Sequence, residues 1–160
     1  MVPSLMKVIC AGVIVACSQV GFAQEVRPIL TQATAKKMAD ACEQMARAKG
    51  WRIVVAIVDT GGVLKQYSRM DDSFLISVDA SQMKAHTSAG VPFSSRKFGE
   101  IAKVIPGLEM IPNTAMFAGG LPIVTAGGAH LGGIGVSGAT ADQDEECAQA
   151  ALDAVKDILK

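Results

Sequence analysis

The stretch from Ala118 to Leu152, AGGLPIVTAGGAHLGGIGVSGATADQDEECAQAAL, decides the fold class of this 160-residue chain. It reads as strand, tight turn, strand, glycine-rich corner and capped helix. Pro122–Thr125 and Leu131–Ser137 are short β-prone runs. Ala126-Gly127-Gly128-Ala129-His130 between them lets the chain fold back as a hairpin. Gly135-Val136-Ser137-Gly138 then turns the chain toward a helix. Thr140 is a good N-cap, and Gln143 three residues later completes a capping box. Asp142, Asp144, Glu145 and Glu146 crowd the first turns, where carboxylates complement the positive end of the helix dipole.

Upstream, Thr31 or Thr34 caps a first helix that runs to about Lys49, with Met38, Cys42, Met45 and Ala46 on one apolar stripe. Methionines at that spacing read as core filler. Gly50 supplies the helix stop. Trp51–Asp59 is the clearest strand: apolar on both faces, it belongs in the centre of a sheet covered on both sides. Asp59-Thr60-Gly61-Gly62 turns it into an antiparallel strand, Val63–Met70, with Lys65, Tyr67 and Arg69 on one face. Asp71-Asp72-Ser73 opens a helical region, Ser77–Ala89 is helix, and Gly90 and Pro92 close it. Ser94–Val104 reads as a short helix stopped by Pro106-Gly107, and Thr114–Phe117 as a third strand. The order helix, two strands, helices, three strands, helix predicts an α+β fold with an antiparallel sheet.

The length fits one domain, and the formal charge is zero with only 4% aromatic residues, so nucleic acid is not an expected partner. Met1–Ala23 reads as a signal peptide: Lys7, the apolar run Val8–Ala16, then small residues Gly21 and Ala23 before Gln24. That run is too short to span a membrane. The expectation is a periplasmic or secreted mature domain, residues 24–160, with no transmembrane segment. A lipoprotein anchored through Cys17 is the lesser alternative, because Ile14-Val15-Ala16 before it resembles a lipobox. Losing Lys7 takes the 15 basic residues to 14 against 15 acidic. Cys42 and Cys147 remain, each on a predicted helix. They read as two buried thiols, with a bridge open to them if those helices pack side by side after export.

Two blocks carry a resemblance. Arg69-Met70-Asp71-Asp72 followed by Ser77, Ala80, Lys84-Ala85 and Thr87 resembles an R-x-D … S … A … K-A-x-T pattern. GGLPI, LGGIGVSGA and an acidic helix start follow it. Together they resemble the GlcG/HbpS family of small haem-binding proteins, which also includes a domain fused to corrinoid adenosyltransferases. The matching parts cover most of Leu30 to Leu159. The resemblance implies a profilin-like arrangement with about five strands, haem as cofactor, and a homo-oligomer.

Within that resemblance the threonine of K-A-x-T, here Thr87, is placed near the iron. His86 beside it is chemically the better ligand, since neutral imidazole binds haem iron well and a hydroxyl is a weak neutral ligand. Neighbouring helical residues point in different directions, so one of the two is expected to serve. Arg69 and Lys84 are the candidate cations for propionates, with Lys84 also able to pair with Asp79 or sit in water. His130 reads as a solvated turn residue. No Cys/His pair has metal-site spacing, no Ser-His-acid set can be assembled, and GGIGVSG lacks the context of a dinucleotide loop. The leading expectation is an exported haem-binding protein rather than an enzyme, acting in capture, buffering or sensing. The alternatives are an enzyme or accessory subunit of small-acid or diol metabolism without haem, and an oligomeric scaffold with no ligand.

Overall fold

The structure is a computed structural model that describes residues 26–160. The signal-peptide reading of Met1–Ala23 and the lipobox before Cys17 lie outside the described residues. The elements are α1 (Gln32–Lys49), β1 (Val54–Asp59), β2 (Leu64–Arg69), α2 (Ile76–Gly90), α3 (Ser95–Ala102), a 3-10 turn at Leu108–Met110, β3 (Gly120–Val124), β4 (His130–Ser137) and α4 (Ala141–Asp153).

The four strands form one antiparallel sheet in the order β2-β1-β4-β3. The α+β, profilin-like class stands, with four strands among the described residues rather than about five. The expected strand at Thr114–Phe117 is irregular. Its backbone is held by α2 and α3 instead: Ala115 N donates to Thr87 Oγ1 at 2.8 Å, and Ser95 Oγ donates to Phe117 O at 2.6 Å.

β1 is central, and its two faces feed two cores. Ile53, Val55 and Ile57 pack with α1, α4, Ile134 and Val136, while Ala56 and Val58 pack with Ala85, Ala89 and Tyr67 beneath α2. Helices therefore cover both faces, as the doubly apolar run requires. On the α1/α4 side the two cysteines are bonded: Cys42–Cys147 is a disulfide with Cα atoms 4.9 Å apart. This corrects the reading of two separate buried thiols. α1 and α4 do pack side by side, a juxtaposition that 105 residues of intervening chain conceal.

The glycines of β3 and β4 set the depth of α2. An added Cβ on Gly135 would lie 2.0 Å from Ser81 O and 2.4 Å from Ala85 N, and one on Gly133 would lie 2.4 Å from Ala85 O. The helix backbone thus rests directly on strand backbone, where no side chain fits. The caps match the sequence reading. Thr31 Oγ1 accepts from Thr34 N, Gly50 stops α1 at φ 72°, and Thr140 and Gln143 form the reciprocal capping box of α4.

Candidate functional site

α2 has a sheet-facing stripe and an outward stripe. Ser77, Ser81, Lys84, Ala85 and Ser88 are buried, while Asp79, Gln82, Met83 and His86 look outward and, with Asn113, line an open groove of about 370 Å³. Asn113 holds φ 60°, a left-handed conformation that asparagine tolerates better than most residues.

His86 is the ligand-capable group of this groove. Its ring is half-buried and makes no hydrogen bond to the described residues. It packs against Gly62 in the β1–β2 turn: a Cβ there would lie 3.0 Å from both Nδ1 and Cε1 of the ring. Gly62 also carries φ 75°, so the turn needs glycine twice over, for its backbone and for the imidazole. By contrast, His130 Nε2 lies 3.0 Å from Ser88 O, so His130 is tied to the end of α2 rather than being a freely solvated turn residue.

Thr87 is turned inward. It is 3% exposed, its hydroxyl donates to Met83 O at 2.8 Å, and it accepts from Ala115 N. Donor and acceptor are both in use, and together they fasten the segment before β3 to α2. A ligand would have to break those bonds to reach it.

Lys84 is likewise withdrawn, and its partner is neither Asp79 nor water. The ammonium donates at 2.8 Å to Val136 O and at 2.8 Å to Asp144 Oδ2, and lies 4.7 Å from the centre of the Phe117 ring. Asp144 Oδ1 accepts from Ala139 N at 3.0 Å. Burial pushes the Lys84 ammonium down and the Asp144 carboxyl up, each held back by the other's charge. The pair pins α2 to α4 through the sheet. Sequence reading took Asp144 only as part of an acidic helix start. No short-range pattern could reveal a partner 60 residues away.

The rest of that acidic group is also engaged. Asp142 and Glu145 pair with Arg96, and Glu146 pairs with Lys49. Among the described residues no three His, Cys, Asp or Glu side chains converge as a metal site.

Arg69 ends β2, exposed, with Nε donating to Ser73 Oγ at 3.2 Å and a terminal nitrogen to Ser73 O at 3.4 Å. On the same strand face, Tyr67 packs under α2, and its hydroxyl is shut off from solvent with no hydrogen-bond partner among the described residues. Burial raises the phenol above its ordinary range; Arg69 opposes this and Asp79 adds to it. At the start of α2, Phe74, Leu75 and Ile76 are exposed by 68%, 78% and 77%. Of the four sequence candidates, the structure brings His86 into the groove, leaves Arg69 exposed on β2 beside Ser73, and directs Thr87 and Lys84 into the core.

A family model described as "Haem degrading protein HbpS-like" matches residues 30–153. The chain is 34% identical over 134 residues to an uncharacterized 15.0 kDa protein of the dhaT-dhaS intergenic region of Citrobacter freundii, covering 81% of this chain and 94% of that one. Among solved structures, a double mutant of Streptomyces reticuli HbpS superposes with TM-score 0.77 at 32% identity, covering 94% of this chain and 97% of the other. A PduOC:heme complex superposes with TM-score 0.74 at 26% identity, covering 79% of this chain and 95% of the other.

Proposed function

The chain belongs to the HbpS-like family, and on that premise we propose that it is an exported haem-binding protein that captures, buffers or senses haem through the groove on α2. The observation that carries this reading is His86, a half-buried imidazole with no hydrogen bond to the described residues, in an open groove that Met83 also lines. A solved relative in complex with haem, PduOC, supports the choice of ligand.

The residues present fit the group. His86 offers a nitrogen lone pair. Met83, one turn back on the outward stripe, offers an apolar and polarizable wall. Arg69, exposed on β2, is the candidate cation for carboxylates. Gly62 and the Thr87–Ala115 bond fix the ring and the helix that carries it. Bound haem would supply an iron centre with its own redox and ligand chemistry. The protein's contribution is the ligand, the orientation and the shielding from water.

Haemin titration tests the reading. Wild-type protein is expected to give a saturable Soret shift, which His86→Ala weakens and alters while His130→Ala does not. No saturable shift in the wild type would overturn it. A shift unchanged in His86→Ala but lost in Thr87→Ala would move the ligand to Thr87.

Export is supported by the Met1–Ala23 pattern and by the Cys42–Cys147 disulfide, since such bonds persist in oxidising compartments. A mature protein whose mass begins at Gln24 would bear this out; an intact Met1 would refute it. Self-association is part of the proposal, because Phe74, Leu75 and Ile76 form one exposed apolar run. Light scattering at one chain's mass at micromolar concentration would refute that part.

A further inference from the structure

Every side chain that lines the α2 groove offers an electron pair, and among the described residues no cationic side chain lines it. Asp79 brings a carboxylate, Gln82 and Asn113 carboxamides, Met83 a thioether and His86 an imidazole. Lys84, the cation of the same helix, is turned inward and held 2.8 Å from Asp144. The groove therefore suits a positive ion, and the exposed carboxylate of Asp79 favours the approach of one. Within the lining, Met83 and His86 stand three residues apart on one helix face, where Cβ atoms lie about 5–6 Å apart. Bonds of about 2.0 Å to nitrogen and 2.3 Å to sulfur, the lengths of zinc sites, let the two atoms stand up to about 4.3 Å apart around a shared ion. Rotation of a flexible thioether closes that difference. Both side chains are half-buried and uncommitted. His86 makes no hydrogen bond to the described residues, and it is Met83 O, not its sulfur, that accepts from the Thr87 hydroxyl at 2.8 Å. Gly62 lies against the Nδ1–Cε1 edge of the ring, where an added Cβ would be 3.0 Å from both atoms, so Nε2 is the nitrogen left to the groove. The ring is thus placed before an ion arrives, which lowers the ordering cost of binding.

We propose that Met83 Sδ and His86 Nε2 form a site for copper(I), bound as a free ion with no change of oxidation state. The donor pair selects the metal. A thioether is a soft ligand that favours copper(I), and imidazole suits copper as well. Zinc takes four ligands, and only Asp79 and His86 in the lining are of the kinds that build its sites. Those two stand seven residues apart, about 10.5 Å along the helix, too far to share an ion readily. That agrees with the absence, among the described residues, of three converging His, Cys, Asp or Glu side chains. Cys42 and Cys147 offer no rival thiolate, because they are bonded to each other and fully buried. The proposal does not rest on the haem reading. Both use His86, so copper(I) and haem exclude each other at that residue.

The test titrates copper(I) into the whole chain under ascorbate, in competition with the chromophoric chelator bicinchoninate. Prior treatment with iodoacetamide caps Cys10 and Cys17 and spares the Cys42–Cys147 bond. Wild type is expected to take up one copper(I). His86→Ala and Met83→Leu should each weaken it by about tenfold or more, at least what loss of a supporting partner costs a metal site. Met83→Leu keeps the apolar bulk, so a loss there reports the sulfur rather than the fold. Met110→Leu, which removes an exposed methionine outside the groove lining, should match wild type. Zinc(II) should bind more weakly than copper(I) by a similar factor. Absence of copper(I) uptake by wild type overturns the proposal, as does unchanged affinity in His86→Ala or in Met83→Leu, or zinc(II) bound as tightly as copper(I). Haemin titrated in parallel separates the two readings. A saturable Soret shift without copper uptake sinks the copper site and leaves the haem reading standing; copper uptake without a Soret shift does the reverse.

Discussion

Replacing Gly135 by alanine tests how the groove is positioned. The new Cβ would sit 2.0 Å from Ser81 O, 2.4 Å from Ala85 N and 3.0 Å from Lys84 Cβ. Ordinary contact begins near 3.4 Å. Two of these three atoms are helix backbone, which cannot rotate away, so α2 must lift by roughly 1.4 Å, the shortfall at Ser81. A lift of that size forfeits much of the dispersion energy between α2 and the sheet, since a gap of about 1 Å already loses up to half the well. It also stretches the two 2.8 Å bonds from Lys84 to Val136 and Asp144. The cost is therefore expected at the upper end of overpacking, about 3 kcal/mol. For a domain of this size that lowers the melting temperature by roughly 6–12 °C. Circular dichroism melts measure it, with Gly90→Ala as control: an added Cβ at Gly90 meets nothing within 4 Å. That control should melt level with wild type or slightly higher, by up to about 1 kcal/mol of helix propensity. Gly135→Ala melting within a degree or two of wild type would refute the claim that backbone contact sets the depth of α2.

Three further outcomes are expected. Asp144→Ala leaves the Lys84 ammonium buried without its counter-charge, at a cost of about 3–5 kcal/mol by urea unfolding, and Lys84→Met/Asp144→Leu should recover most of it; a mild single variant would show that the pair is dispensable. Tyr67 is the sole tyrosine, so alkaline titration at the phenolate absorption band reads it directly, with a midpoint expected above 10.0 in the folded protein. The folded phenol holds its proton longer than the unfolded one, so its contribution is fully present below the unfolded value and is lost as pH rises through the folded one; a midpoint at or below 10.0 refutes the burial. Reducing Cys42–Cys147 opens a loop of about 105 residues and should lower stability on the order of 4 kcal/mol; alkylation of either cysteine in unreduced native protein would show that the bond is absent.

Local chemistry was legible along the chain. The capping box at Thr140 and Gln143, the αL stop at Gly50 and the doubly apolar β1 each depend on neighbours within a few residues, and each stands as read. Thr114–Phe117 misled because β propensity cannot tell a ladder from a segment held by the Thr87 and Ser95 hydroxyls. His86 was legible as a residue type, and its place beside Gly62 was not.

What only the tertiary structure decided was pairing at long range. Sequence spacing places Lys84, Thr87 and His86 on one short run of helix and offers all three as ligand contacts. Helix rotation against the sheet separates them, sending Lys84 to Asp144, Thr87 to Ala115 and His86 to the groove. The same packing brings Tyr67 under α2 against Ala85 and Ala89, and the packing of α1 on α4 joins Cys42 to Cys147. The physical reason is common to all of these. A residue's type and local geometry are written in its immediate neighbours, whereas its partner is set by which faces the whole fold buries against one another.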